Sequence, residues 1–149
     1  MKRLMAFLLA FITIFAVSSC EQKVSPELRI KVESIESIDF KKTYFKDDLS
    51  DPRDYKQKSV TDKDDIKEIV DWLVGLSITK HDAIEIPVER VNYVIMLNGK
   101  KTHKVIFMDN YIIYDSQAYT FDNESDIDSV KNKYNLLGYT EIETDLDII

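Results

Sequence analysis

Residues 90–121 constrain the fold more than any other stretch, because alternating apolar residues recur there between closely spaced turn signals. Such alternation is typical of strands that bury one face. Asn98-Gly99 is a strong hairpin signal, and Asp109-Asn110 and Ser116-Gln117 are candidate two-residue turns. The stretch therefore predicts a four-stranded antiparallel meander.

The faces of these strands predict the length of the loop at Asn98-Gly99. A two-residue loop would place Tyr93 beside Lys104, whereas a three-residue loop with Gly99 in the left-handed region places it beside Phe107. A buried face has to be consistently apolar, so we predict the three-residue loop. The predicted core face consists of Val91, Tyr93, Ile95, His103, Val105, Phe107, Ile112, Tyr114, Tyr119 and Phe121.

The opposite face of the same strands is also apolar, although a water-facing side of a sheet should be more polar. It carries Val94, Met96, Ile106, Met108, Tyr111 and Ile113, which we call the methionine face. Apolar patches rimmed with polar groups often mark partner sites, and methionine suits adaptable contacts. We predict that this face binds another protein. The alternative is that the N-terminal strand, residues 35–44, or the final strand folds over it.

The rest of the chain predicts short strands at both ends and two helices. Leu28, Ile30 and Val32 alternate like a strand, with a bulge or bend afterwards, and residues 57–60 form a short second strand. Thr61 caps a first helix that ends at Gly75, and Ser125 caps a second that ends at Gly138, both glycines acting as left-handed stops. Residues 140–148 alternate again, as a final edge strand or as an acidic tail.

These elements predict the order ββαββββα, with a possible last strand. The predicted helices each carry an apolar stripe, formed by Ile66, Ile69, Val70, Leu73 and Val74 on the first and by Ile127, Val130, Tyr134 and Leu137 on the second. Such helices together with many strands are typical of an α+β fold in which both helices cover one face of an antiparallel sheet. We therefore expect one α+β domain over residues 28–149.

The N-terminus has the features of a cleaved leader. Lys2 and Arg3 precede an apolar run from Leu4 to Val17, which is shorter than the roughly 20 residues that span a bilayer. Val17-Ser18-Ser19-Cys20 resembles the lipobox of bacterial lipoproteins, and the resemblance covers residues 1–20 alone. It implies that a signal peptide (1–19) is removed and that the Cys20 thiol receives diacylglycerol. Residues 20–27 would then tether the domain to the extracytoplasmic side of the cell membrane.

Charge and residue usage exclude several functions. Loss of Lys2 and Arg3 with the leader takes the net charge from −7 to about −9, which disfavours nucleic acid binding. All three glycines have predicted structural roles, so none is left for a phosphate-binding loop. The single cysteine is assigned to lipid and leaves no internal disulfide.

Candidate catalytic and metal-binding groups are scattered. His81 and His103 are too few for a zinc site, and the carboxylates Glu85 and Glu89 are not distinctive in so acidic a chain. The aspartates at positions 47, 48, 51 and 54 lack the spacing of a calcium-binding EF-hand loop. We expect no cofactor, no metal centre and a non-enzymatic binding module for an envelope or secreted protein. The alternatives are a small-ligand or divalent-ion carrier, or, less favoured, a hydrolase of envelope material.

Overall fold

The computed structural model describes residues 28–44, 54–82 and 91–144. These residues form eight strands, two α-helices and one 3₁₀ turn. The strands are β1 (Ile35–Tyr44), β2 (Asp54–Val60), β3 (Ile78–Lys80), β4 (Val91–Gly99), β5 (His103–Met108), β6 (Tyr111–Tyr114), β7 (Gln117–Phe121) and β8 (Ile142–Thr144). The helices are α1 (Lys63–Val74) and α2 (Glu124–Leu136), and the 3₁₀ turn is Val32–Ser34.

All eight strands belong to one sheet with the order β3-β7-β6-β5-β4-β1-β2-β8. Every pairing in it is antiparallel. Both helices contribute to the same apolar cluster on one face of the sheet, together with β1, β2 and the strands from β4 to β7. The predicted α+β class with an antiparallel sheet is therefore confirmed.

The β4–β5 hairpin has the register that the three-residue loop predicts, with Tyr93 opposite Phe107 and Ile95 opposite Val105. Gly99 does not have a positive φ, however, so its predicted left-handed conformation is wrong. Glycine is needed there because a Cβ on Gly99 would lie 1.9 Å from the Ser34 carbonyl oxygen. Two backbones pass each other at this point and leave no room for a side chain.

The β6–β7 turn is Asp115-Ser116, one residue earlier than the predicted Ser116-Gln117, since Tyr114 pairs with Gln117. Asp115 and Ser116 have φ values of 45° and 69°. Asp tolerates the left-handed region better than most residues, which allows a tight turn here without glycine. The pairing moves by two residues, so Tyr114 and Tyr119 stay on the core face as predicted.

Helix α1 buries four members of its predicted apolar stripe, Ile66, Ile69, Val70 and Leu73, whereas the fifth, Val74, is half-buried. Its cap is Asp62 rather than the predicted Thr61, because the Asp62 carboxylate accepts hydrogen bonds from the second and third residues after it. Gly75 follows the helix with φ −80° and ψ −7°, so the predicted left-handed stop is wrong.

Helix α2 begins two residues earlier than predicted, with Asn123 rather than Ser125 at the cap position. Val130 and Tyr134 are its buried residues. Gly138 has no positive φ and is not the predicted stop. The helix gives way to extended backbone at Leu137.

Three strand predictions need correction or completion. Leu28, Ile30 and Val32 form no strand, although all three pack in or against the core. The first strand begins at Ile35, and its register against β4 shifts between Ile35 and Ser37. Strand β3 was not predicted, and the short β8 pairs with β2, which supports the edge-strand prediction for residues 142–144.

Candidate functional site

The structure brings all six residues of the methionine face into one cluster, which Val91 joins. Val91 was predicted on the core face, but a bulge between Val91 and Tyr93 places it with this second cluster. The cluster members within the described ranges all come from β4, β5 and β6. Sequence alternation thus identified a real second apolar face of the sheet.

Most of this face is not open to solvent. The exposed fractions of Val94, Ile106, Met108 and Ile113 are 1%, 4%, 3% and 5%. Met96 and Tyr111 are half-buried, and the His81 ring contacts Tyr111 edge-on with centroids 5.5 Å apart. The open apolar surface on the methionine face is therefore confined to two side chains.

The described parts of the two segments considered as covers, residues 35–44 and 140–144, do not lie over this face. Strand β1 is inserted within the sheet between β4 and β2, and β8 lies at the sheet edge beside β2. Both helices contribute to the opposite cluster.

The structure also contains a concave site that the sequence did not predict, a cavity of about 330 Å³ between α2 and the sheet. We call it the α2 cavity. Ile127 and Val130 of the helix form one wall, and the ends of β1, β4, β5 and β7 supply the rest of the lining. Its volume lies at the lower end of the range of about 300–1,000 Å³ that small-molecule sites occupy.

Irregular pairing of β4 shapes the sheet side of this cavity. The bulge between Val91 and Tyr93 lies where β4 meets β5, and Asn92 and Tyr93 line the cavity beside it. The Thr43 hydroxyl lies within hydrogen-bond distance of two carbonyl oxygens there, those of Val91 and Asn92. Bulges of this kind redirect side chains and are frequent next to functional sites.

Aromatic rings contribute much of the apolar lining. Phe107 and Phe121 stack with centroids 6.4 Å apart, and Tyr93 lines the cavity beside them. Burial raises the pKa of the Tyr93 hydroxyl above its ordinary value. Trp72 stacks on Phe107 at 6.1 Å and so lies directly behind the lining.

Charged side chains of both signs complete the lining. Lys42 and Lys131 are the cations, and Asp109 and Asp128 are the carboxylates. Within the described residues no ion pair engages any of the four. The polar contacts of Asp109 include a long hydrogen bond of 3.5 Å from Asn92. The Lys42 ammonium lies 5.8 Å from the centroid of the Tyr134 ring.

The two histidines lie elsewhere and are separate from each other. His103 Nδ1 is 3.1 Å from an Asp115 carboxylate oxygen and 3.2 Å from the Tyr114 hydroxyl, at the end of the β4–β5 hairpin. His81 Nδ1 lies 2.9 Å from the carbonyl oxygen of Asp82. Neither histidine lines the α2 cavity.

Several candidate groups lie outside the described residues, namely Cys20, Asp47, Asp48, Asp51, Glu85 and Glu89, and the side chain of Asp54 is likewise not described. Among the residues that are described, no three His, Cys, Asp or Glu side chains are grouped so that they could hold a metal ion. No helix in the described ranges has the length and hydropathy needed to cross a bilayer.

No family model, curated protein or solved structure matches this chain. The α2 cavity combines an aromatic lining, a half-buried tyrosine and four charged groups around a space of small-molecule size.

Proposed function

We propose that this protein is a lipid-anchored protein of the bacterial cell envelope whose domain binds a small amphipathic molecule in the α2 cavity. The observation that carries the binding part is a space of about 330 Å³ that combines stacked aromatic rings with charged groups. Apolar linings with a few polar groups are the usual composition of small-molecule sites. The anchor is supported by the leader, the short apolar run and the lipobox-like sequence before Cys20.

Replacement of the lipidated thiol tests the anchor. We expect Cys20→Ser, expressed in a bacterium with the lipoprotein pathway, to carry no diacylglycerol, because it lacks the thiol that accepts this group. Intact-mass analysis of the wild type should give a chain that starts at residue 20 and carries diacylglycerol. A wild-type chain that retains residues 1–19, or that has a free thiol, would refute the anchor.

Trp72 provides a direct assay for binding, because it is the only tryptophan and stacks on a ring that lines the cavity. We would titrate a chain of residues 26–149, which lacks the leader and Cys20, with four probes that share one benzyl group and differ in charge. These are L-phenylalanine, N-acetyl-L-phenylalanine, L-phenylalaninamide and N-acetyl-L-phenylalaninamide. We expect at least one of them to change the Trp72 fluorescence saturably at millimolar concentration or below.

Two aliphatic-to-phenylalanine variants on the same helix locate the binding. Ile127→Phe adds volume at the cavity wall, whereas Leu136→Phe changes a side chain that is 80% exposed. We expect affinity to fall at least about tenfold in the first variant, equivalent to about 1.4 kcal/mol, and to stay unchanged in the second. A flat response to all four probes, or equal affinity in both variants, would exclude the α2 cavity as the binding site.

A protein partner on the methionine face is the second candidate, favoured by the apolar cluster that β4, β5 and β6 form there. A partner would have to contact Met96 and Tyr111, since the other four members are 1–5% exposed. Met96→Lys should then abolish co-purification of an envelope protein from membranes without unfolding the domain. Ile106→Ala serves as the packing control and should cost about 2–5 kcal/mol of stability. Unchanged co-purification with Met96→Lys would remove this candidate.

A further inference from the structure

We infer that the ligand of the α2 cavity is a zwitterion with a flat apolar body, such as an amino-acid-like molecule with an aromatic or large aliphatic side chain. This inference rests on the proposed small-molecule site and specifies the class of its ligand. The ligand carboxylate would meet Lys42 and Lys131, and its ammonium group would meet Asp109 and Asp128.

The balance of charge around the cavity carries this inference. Two lysines and two aspartates line it, and no ion pair within the described residues engages any of them. Asp128 and Lys131 are exposed on α2, Asp109 is exposed at the β5–β6 turn, and Lys42 is half-buried on β1. The four charges therefore come from three separate parts of the fold and surround one apolar space.

A ligand of single charge fits this lining less well. An anion would face Asp109 and Asp128 as well as the lysines, and like charges brought together in a partly desolvated site repel each other. A cation would face Lys42 and Lys131 in the same way. A zwitterion can place each of its groups beside an opposite charge, which makes the pairing favourable at both ends.

The apolar body is assigned from the aromatic lining. Phe107 is itself buried between the rings of Trp72 and Phe121, so the half-buried rings of Phe121 and Tyr93 are the part of this lining that a ligand can reach. Aromatic rings favour contact with a flat or apolar group. The Tyr93 side chain also brings a phenol hydroxyl to this wall.

The four probes of the Trp72 titration separate this inference from the proposed function. We expect L-phenylalanine to bind at least about tenfold more tightly than its N-acetyl acid and its amide, with the doubly blocked probe weakest. Tighter binding of the anionic, the cationic or the neutral probe would refute the zwitterionic ligand but would still support the small-molecule site. Failure of all four probes would remove the site itself.

Charge variants identify the partners of each ligand group. Lys131→Gln should weaken the binding of L-phenylalanine and of the N-acetyl acid but not the binding of the amide. Asp128→Asn should weaken the binding of L-phenylalanine and of the amide but not the binding of the N-acetyl acid. Lys67→Gln is the matched control, since Lys67 is an exposed lysine of α1 that pairs with Asp71 of the same helix. Equal loss for all probes in both variants, or the same loss with Lys67→Gln, would refute the assignment.

Discussion

Lys58 lies on β2 and caps the C-terminal end of α2. Its ammonium group donates to the carbonyl oxygens of Tyr134 and Leu137, at 3.0 and 2.7 Å, where α2 ends. The same group lies 4.9 Å from the centroid of the Tyr134 ring. The last carbonyls of a helix lack partners within the helix, and a cation also interacts favourably with that end of the helix dipole. This contact takes the place of the predicted left-handed glycine stop.

We expect Lys58→Met to lower the free energy of unfolding by about 1–3 kcal/mol, because one buried and one partly buried carbonyl group would lose a charged donor. Urea denaturation monitored by circular dichroism measures the change. Lys67→Met is the control, since it removes an exposed lysine that contacts only its own helix, and it should stay close to wild type. A Lys58→Met variant as stable as the wild type would show that the cap contributes nothing.

Glu141 gives a residue-level prediction about pH. Burial alone would raise the pKa of Glu141, but the hydrogen bond from Tyr134 and the charges of Lys56 and Lys42 outweigh it, so the pKa lies below its ordinary value of 4.5. A carboxyl whose pKa is lowered by folding stabilises the fold above its unfolded pKa, and this stability is lost as the pH falls through the folded pKa.

We therefore expect the wild type to lose more stability than Glu141→Gln when urea denaturation is repeated from pH 6 down to about pH 3. The two proteins should become similar at the acidic end of that range. Glu36→Gln removes an exposed carboxylate of β1 and is the control. Parallel pH profiles for wild type and Glu141→Gln would contradict the role of this pair.

At the scale of elements, Gly99 is where the β4–β5 hairpin meets the 3₁₀ turn. A Cβ there would lie 1.9 Å from the oxygen and 3.1 Å from the carbon of the Ser34 carbonyl group, which is backbone and cannot rotate away. We expect Gly99→Ala to cost about 1–3 kcal/mol, as overpacking does elsewhere. Thermal and urea unfolding measure this.

Gly138→Ala is the matched glycine control, because a Cβ at Gly138 would meet nothing within 4 Å. Its φ is not positive, so alanine fits the backbone and reduces the entropy of the unfolded chain. Its stability should change by less than about 1 kcal/mol. Equal losses at the two glycines would show that the approach to Ser34 is not tight.

Elements that contain several alternating apolar residues could be predicted from the sequence, whereas the three-residue strand β3 and the irregular segment before β1 could not. The hairpin register followed from one requirement, that Tyr93 and Phe107 share an apolar face. Strand β3 has three residues, too few to show a period. Leu28, Ile30 and Val32 alternate because they reach the core, but the first is in irregular backbone and the last is in the 3₁₀ turn.

The α2 cavity was beyond prediction for a different reason. Tyr93, Phe107 and Phe121 are predicted to be core residues, and all three do belong to or pack against the core cluster. Alternation reports which side of a strand faces inward, but it cannot show whether the space on that side is filled. The charges around the cavity come from β1, the β5–β6 turn and α2, which are distant in sequence.

At the scale of the whole molecule, the domain extends before its first strand. Leu28 is 2% exposed and belongs to the core cluster, and Ile30 and Val32 pack against it. We expect a chain of residues 26–149 to unfold cooperatively. A chain of residues 35–149 should be less stable by at least about 2 kcal/mol, because burial of a single large aliphatic side chain contributes about that much.

Urea denaturation of the two truncated chains checks this boundary. A 26–149 chain with the substitution Arg29→Ala is the control, because Arg29 lies in the same segment but is exposed. If residues 35–149 alone were as stable as residues 26–149, the segment would not be part of the domain.

The two ends of the sheet order bear on how copies of this protein behave when they are packed closely on a surface. In the described part of the chain, both outer strands, β3 and β8, have three residues each. A long, flat outer strand presents a row of unpaired amide and carbonyl groups that templates the addition of another chain, and a very short one does not. Neighbouring molecules would thus have few free backbone groups at these edges with which to pair, so densely packed copies should remain separate proteins instead of assembling into fibrils.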